Sequence, residues 1–398
     1  MPAAAAPPLF TTPGLELMSY CEDSDFRAEG KPEPNSRSQS LVYYSQEKKW
    51  WIRVTFKGAI SCDAEPEQIK SKRERRNEFQ DFVRLIDFRS LALLDNTVTE
   101  VILNEDPETT EPVKLHNQLE DTNRFAKLTN LRFHIWEDPL RVVYPPCLQF
   151  PSFRAINVAE LKEEDEITDG VFRVFHNGKP YVLKVVNRPL YQPRDSDVIQ
   201  RELENLEQFK GVVGIVQLAG IAVFPNPYAT CQNVEQMVVN GILLEYYSGG
   251  SLQRVLNEKR VREFDWERWA IQIGNALDIF HRAKKTHMDI KPSNIVLDDD
   301  GNAVLIDISG IGGITHEWRA PEIRDEISPF DLPFQTRQLN DIWAYGKLLT
   351  EIASNAGNSP FSGTLRLVAD HLTEEYVHNR WTLSQGISRL KDCQCVVY

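Results

Sequence analysis

The sequence predicts an α+β fold: strand-rich segments, then helix-rich ones, with an α+β extension ahead of both. Three observations predict it. First, Asn177-Gly178 separates two runs of strand formers, Val171–His176 and Lys179–Val186. Asn-Gly is the dipeptide that best tolerates the two positive φ angles of a tight hairpin turn. Second, helical patterning dominates beyond the turn-rich strand exit at Glu245–Leu252, with a long helix expected over Trp266–His281. Third, polar residues gather among short apolar runs between His287 and Asp307.

Composition sets the outer limits. The chain has 398 residues, with 45 Lys+Arg against 58 Asp+Glu and a formal charge of −13. At 41% hydrophobic and 10% aromatic it can build real cores, which excludes wholesale disorder. The acidic balance, shared by both parts of the chain, argues against binding a nucleic-acid backbone. No run of about 18 apolar residues suggests a membrane span. Met1–Phe10 lacks the basic start of a secretory signal. The six cysteines have neither paired zinc spacing nor a dense framework, so an intracellular compartment, cytoplasmic or nuclear, is expected. Cys395-Val396-Val397-Tyr398 loosely resembles a prenylation box, but ends on an atypical residue.

Residues 1–40, rich in Pro, Ala, Ser and acids, read as a flexible tail. Residues 41–150 read as an accessory α+β region of unknown function. Its expected strands are Leu41–Tyr44, Trp50–Phe56, Thr97–Leu103, Phe133–Trp136 and Arg141–Tyr144, the last just before Pro145-Pro146. Phe79, Phe82, Val83 and Ile86 fall on one helical face. The basic run Lys70–Arg76 before them fits a solvated helix start, with nuclear import as the sharper alternative. Asp106–Pro112 reads as an acidic loop.

The third part, 155–398, carries the chemistry. His287-Met288-Asp289-Ile290-Lys291-Pro292-Ser293-Asn294 precedes an apolar triplet, a turn at Asp299-Asp300-Gly301, and Asp307. Asn294 and Asp307, at opposite ends of that hairpin, can offer hard oxygen ligands to Mg²⁺. Asp289, five residues before Asn294, is left free to face a substrate hydroxyl.

At this point the sequence resembles the eukaryotic protein kinases. The pattern H-x-D-x-K-x-x-N, a hairpin, and then a metal-binding Asp match the family's catalytic loop and the metal-binding segment beyond it. Ala320-Pro321-Glu322, Asp341-Ile342-Trp343-Ala344-Tyr345-Gly346, Tyr181-Val182-Leu183-Lys184 and Glu202 match further signatures in the right order. The resemblance implies a bilobal fold, with a small lobe over about 155–246 and a large lobe over about 247–398. It implies ATP and Mg²⁺ as cofactors and a protein substrate. Lys184 would hold the α- and β-phosphates, positioned by Glu202. Asp289 would accept the hydroxyl proton, Lys291 would neutralise the transferring phosphoryl group, and Asn294 and Asp307 would hold the metal. The adenine site would comprise Leu244 as gatekeeper, backbone groups of Glu245 and Tyr247, and walls at Val182, Val296 and Val174. Lys291, together with Thr315 five residues before Ala320, resembles the Ser/Thr branch.

The sequence also departs from that pattern. Only Gly170 survives of the glycine-rich loop in Ile167–Val174, so weakened ATP affinity is expected. Met288 replaces the arginine that usually precedes the catalytic Asp. The segment Asp307–Glu322 is short, and its only hydroxyls are Ser309 and Thr315. Control by activation-segment phosphorylation is therefore not expected. Asp307-Ile308-Ser309 stands for D-F-G, with Gly310, Gly312 and Gly313 after it as sources of freedom. Arg380 resembles the arginine that buries against Glu322, in a shortened large lobe. The net charge favours basic peptide substrates. The leading reading is an active Ser/Thr kinase. The alternatives are a pseudokinase scaffold and, less well matched, a small-molecule kinase. Oligomeric state is not legible.

Overall fold

A computed structural model of the protein describes residues 14–31, 33–58, 70–104, 111–116, 131–231, 236–311 and 315–394. The chain forms two compact units, Met1–Arg141 with Pro225–Val238, and Val142–Phe224 with Val239–Tyr398.

The first unit contains β1 (Gly14–Glu22), β2 (Ser36–Ser45), β3 (Lys48–Lys57), α1 (Lys72–Leu85), β4 (Val98–Asn104), β5 (Glu111–Pro112) and β6 (Arg132–Glu137). They make one sheet in the order β1-β2-β3-β4-β6-β5, parallel only between β3 and β4. The β2–β3 turn puts both Gln46 and Glu47 at positive φ, the geometry that suits the twist of the flanking strands. Helix α1 forms where the sequence places it. Ser71 caps it in a reciprocal box with Glu74, and Phe79, Phe82 and Val83 are fully buried against the sheet. The basic run is thus a helix start. Two of its cations are engaged, Lys70 by Glu78 and Arg75 by Glu22.

The tail expected over 1–40 needs correction. Gly14–Glu22 is a strand on β2, and β2 itself starts at Ser36. Leu15, Leu17 and Tyr20 pack on the core, Phe26 is buried, and Arg37–Glu33 and Arg75–Glu22 are buried ion pairs. The polar composition hid partners more than 50 residues away. Arg141–Tyr144 is not a strand either. Its backbone is claimed by side chains, since Tyr191 accepts from the Val143 N–H and Ser196 donates to the Val143 carbonyl. Pro145-Pro146 comes next, and proline cannot extend a ladder. Of the loop expected over Asp106–Pro112, residues 106–110 lie outside the described residues, and Glu111–Pro112 is β5.

The segment 225–238 belongs to the first unit by its packing. Trp51 donates its indole N–H to the Pro227 carbonyl at 2.9 Å, and Asn96 exchanges hydrogen bonds with Thr230 and accepts one at its carbonyl from the Asn226 amide.

The second unit is bilobal. Its small lobe holds β7 (Ala155–Asn157), β8 (Lys162–Thr168), β9 (Val171–His176), β10 (Lys179–Val185), α2 (Pro193–Gln208), β11 (Leu218–Pro225) and β12 (Met237–Glu245). The sheet order is β7-β11-β12-β10-β9-β8. Asn177 and Gly178, at φ 51° and 78°, make the expected β9–β10 turn. The large lobe holds β13 (Gly250–Ser251), α3 (Leu252–Asn257), α4 (Glu267–Arg282), β14 (Ile295–Leu297), β15 (Ala303–Leu305), α5 (Phe334–Ala356), α6 (Pro360–Leu372) and α7 (Leu383–Gln394). Trp269, Ile273, Leu277 and Phe280 line the buried face of α4, and the Tyr345 hydroxyl of α5 donates to the Ala270 carbonyl at 2.6 Å. No described helix is long and apolar enough to cross a membrane.

Arg75 offers a stability test. Its side chain is fully buried, bonded twice to Glu22, and seated 5.0 Å from the Phe26 ring centroid. Arg75→Ala strands the Glu22 carboxylate and should cost about 3–5 kcal/mol. The double variant Glu22→Leu/Arg75→Met should recover most of that loss in urea unfolding of the full chain.

Candidate active site

Short elements of the large lobe bring the polar residues together. The loop 287–291 takes its shape from Asp341, a fully buried carboxylate of α5. Asp341 accepts the N–H groups of His287 at 2.8 Å and Met288 at 2.7 Å, and lies 3.1 Å from Nε2 of His281. Those bonds hold Met288 at φ 68°, a left-handed angle that costs a non-glycine residue about 1 kcal/mol or more. The Met288 side chain is buried against Ala320 and Ile323.

Asp289 is the next residue. Its Oδ1 accepts from the Thr315 N–H and hydroxyl, both at 3.2 Å. Its Oδ2 is 2.7 Å from the Lys291 ammonium and accepts from the Asn294 amide at 3.0 Å. Lys291 also donates to the Thr315 hydroxyl at 2.8 Å. Four of the residues expected at the site, Asp289, Lys291, Asn294 and Thr315, therefore form one bonded cluster.

A second cluster lies on the opposite wall. Lys184 of β10 is 2.5 Å from Glu202 of α2 and 2.6 Å from Asp307. Glu202 is fully buried, which separates this pair from an ordinary surface contact. Burial opposes the charge on Lys184, but Asp307 and then Glu202 outweigh it and hold the ammonium above its usual range. Lys184, against the opposing effect of burial, keeps the Asp307 carboxyl below the usual carboxylate range. Burial pushes the Glu202 carboxyl up, and Lys184 resists that push. Asp307 itself sits at φ 61°.

Two adjoining cavities share Thr168, Val171, Lys184 and Asp307 as walls. The larger, about 870 Å³, is lined by Val182, Leu244, Glu245, Tyr247, Asn294 and Val296, among others. The smaller, about 540 Å³, reaches Asp289.

A family model for the protein kinase domain matches residues 169–388, more than half of the chain. The chain belongs to the protein kinase family. Protein kinase C zeta type of Oryctolagus cuniculus is 30% identical over 225 residues, 52% of this chain and 33% of its own. CBL-interacting protein kinase 33 of Oryza sativa subsp. japonica is 27% identical over 225 residues, 52% of this chain and 44% of its own. Serine/threonine-protein kinase pak-2 of Caenorhabditis elegans is 28% identical over 146 residues, 33% of this chain and 27% of its own. The matched stretch covers less than half of each relative's length.

In this kinase domain two of the residues expected at the nucleotide site, Val174 as a wall of the base site and Gly170 in the glycine-rich loop, do not line the larger cavity. Val174 is buried in the core behind the sheet with Tyr181 and Leu183. Residues alternate across a strand, so the β9 side chains that share a face with Val182 and Lys184 are their ladder partners, Arg173 and Val171. Gly170 does not line the larger cavity. It turns the β8–β9 hairpin at φ 73°, where a Cβ would come within 2.6 Å of the Arg188 Cβ. Thr168 pairs with Val171, so only Asp169 and Gly170 form the turn, and the Gly170 carbonyl is tied to the Val185 N–H. The hairpin ends level with β10 rather than projecting as a loop. Arg173, in the cavity wall, is pinned by Glu164 and Asp165 and lies 5.8 Å from the Tyr246 ring centroid.

Sequence reading missed Val171, Arg173 and Asn205. The first two were accessible by counting outward from the Asn177-Gly178 turn, which sets Arg173 opposite Val182 and Val171 opposite Lys184. Asn205 of α2, buried, donates to the Ile308 carbonyl at 2.5 Å and so ties the helix of Glu202 to the segment after Asp307. Ile308 is fully buried, as expected of a residue in the family's phenylalanine slot. Gly310 has φ 71°, and a Cβ there would meet the Thr286 carbonyl oxygen at 2.5 Å. Gly312 and Gly313 lie outside the described residues. Arg380 makes a two-point ion pair with Glu322, at 2.7 and 3.1 Å.

The oxygen set fits a hard dication in one respect. Asp307 is held ionised, and the Asn294 amide nitrogen is spent on the Asp289 carbonyl and carboxylate, which leaves its oxygen as an acceptor. The Ile306 N–H donates to the Asn294 carbonyl, fixing the two ends of the hairpin side by side. No group of three or more His, Cys, Asp or Glu converges among the described residues. Such a cation would need phosphate oxygens to complete its shell.

Asp341→Asn tests the support of the loop. An amide cannot accept from every donor that Asp341 now serves, so at least one buried N–H is left unpaired. Stability should fall by about 1–3 kcal/mol in urea unfolding, while Asp341→Glu should not restore it, because the longer side chain misplaces both oxygens.

Proposed function

We propose that this kinase domain transfers the γ-phosphate of ATP to serine or threonine hydroxyls of a protein substrate, without phosphorylation of its own activation segment. The observation that carries the proposal is that both charged clusters are assembled in one structure. Lys184 is locked between Glu202 and Asp307, and Asp289 is locked among Lys291, Asn294 and Thr315.

The adenine ring would lie between Val182 and Val296, beside Leu244, Glu245 and Tyr247. Lys184 would hold the α- and β-phosphates. Asn294 and Asp307 would hold Mg²⁺, which when bound neutralises charge on the phosphate oxygens. The acceptor hydroxyl would take its place at Asp289. The two 3.2 Å bonds from Thr315 are the longest that Asp289 accepts, so Thr315 is the partner that yields to the incoming hydroxyl. As the oxygen bonds to the γ-phosphorus, the bond from phosphorus to the β–γ bridging oxygen breaks and the hydroxyl proton passes to Asp289. Lys291 offsets the negative charge on the moving group.

Phosphate independence rests on three features. Met288, where the family has an arginine, is buried in an apolar cluster and offers no cation to a phosphate. Ser309 is buried. Thr315 is bonded inside the Asp289 cluster, where a phosphate would break it apart.

A second reading, a nucleotide-binding or empty scaffold, is favoured by the two-residue β8–β9 turn and by Arg173 in the base cavity. Purified protein with Mg·ATP and a protein acceptor, beside Asp289→Ala and Asp307→Ala, separates the two. Catalysis predicts a loss of roughly 10²–10⁴-fold on removing the base. Retained nucleotide binding with no transfer by the unaltered protein supports the scaffold. Equal signal from all three proteins marks a contaminant and contradicts catalysis by this chain.

Phosphatase treatment supplies a further prediction. It should leave the transfer rate unchanged, and Ser309→Ala should do the same. Loss of transfer after dephosphorylation, mapped to Ser309 or Thr315, contradicts phosphate independence.

A further inference from the structure

We propose that the acceptor site takes an acidic segment, one with Asp or Glu side chains flanking the acceptor hydroxyl. This inference rests on the kinase reading for its placement, because it concerns the cavity that reaches Asp289.

The lining of that cavity of about 540 Å³ carries four cations and four carboxylates, but they are not paired one to one. Lys184 is matched by Asp307 and Arg188 by Asp195, while Asp289 is matched by Lys291, which lies outside the lining. Two arginines in the lining remain without a carboxylate partner among the described residues. Arg194, exposed on the first turn of α2, donates to the Ile311 carbonyl at 3.3 Å and lies 4.5 Å from the Phe330 ring centroid. Arg319 donates to the Arg324 and Glu326 carbonyls at 3.0 and 3.1 Å, and its buried Nε has no hydrogen-bond partner. Backbone carbonyls satisfy donors but bring no net charge, so both guanidinium groups keep theirs. The remaining lining carboxylate, Asp169, stands in the β8–β9 turn, away from Phe330 and Pro329 in sequence and in lobe.

The position of these arginines matches the path of a peptide rather than of a nucleotide. They line the cavity that holds Asp289 and are absent from the lining of the larger cavity. Ile327, almost wholly exposed, and Pro329 and Phe330 give the same wall an apolar character. The formal charge of −13 points the other way, toward basic peptides. However, exposed charges are screened beyond about 8 Å at physiological ionic strength, so the groups lining the cleft decide what a bound segment meets. Arginine forks also pair with carboxylates in a two-point geometry that water does not match.

The test is binding of fluorescent peptides to the full chain, monitored by anisotropy. The peptides share one core with alanine in place of the acceptor serine, flanked by Asp/Glu in one and Lys/Arg in the other. The acidic peptide should bind about tenfold tighter at low salt and lose that margin at high salt. Arg194→Ala should narrow the margin by about three- to fivefold, and Arg194→Lys by less. Arg319→Lys keeps the charge but not the two-point fork, and should also narrow it. Asp289→Ala, made to abolish transfer, should keep the acidic preference. A basic peptide that binds as well or better overturns the proposal. So does binding of neither peptide at low salt, or an unchanged margin in both arginine variants. If the acidic preference holds while no serine peptide is phosphorylated, the kinase reading fails and this inference stands.

Discussion

The ammonium of Lys184, held between Glu202 and Asp307, is the interaction on which the rest of the cleft depends. It joins three elements: strand β10, helix α2, and the segment beyond β15. A buried charge with one partner removed is costly, so each member constrains the other two. Asn205, three residues after Glu202 on the same helix, adds a hydrogen bond to the Ile308 carbonyl, one residue after Asp307. The two attachments, one turn apart, fix both the position of α2 and the path of the chain as it leaves the hairpin.

The same logic operates beneath the catalytic loop. Asp341 takes the place of solvent for the amides of His287 and Met288, and in doing so stabilises a left-handed backbone at Met288. That kink aims Asp289 at Lys291 and Thr315. In this chain the kinked residue is apolar and packs on Ala320 and Ile323, so the loop is anchored to the next segment by burial.

The bonded clusters were legible in the sequence because their chemistry is carried by residue type and fixed spacing. Lys184, Glu202, Asp289, Lys291, Asn294, Asp307 and Thr315 all meet where their order along the chain implies. Helix α1 and the β9–β10 hairpin were legible for a similar reason, since a capping box, a period of 3.6 and an Asn-Gly pair are local signals. What escaped was non-local or a matter of phase. Strand β1 pairs with β2 and is tied to α1 by Arg75, 53 positions beyond Glu22. Val174 was given to the cavity although, one residue out of step, it faces the core with Tyr181 and Leu183. The shortened β8–β9 turn could be suspected from missing glycines, but the seating of Arg173 against Glu164 and Asp165 required the ladder.

Catalysis by this chain requires that the cleft accept nucleotide as it is built. The most direct measurement is a crystal structure of the phosphatase-treated protein with Mg²⁺ and a non-hydrolysable ATP analogue. The expected result is a base between Val182 and Val296, Lys184 still paired with Glu202 and now touching the phosphates, and the metal on Asn294 and Asp307. An analogue that does not enter at millimolar concentration, with Arg173 still seated on Glu164 and Asp165, would contradict it. So would a bound nucleotide with Glu202 turned away from Lys184.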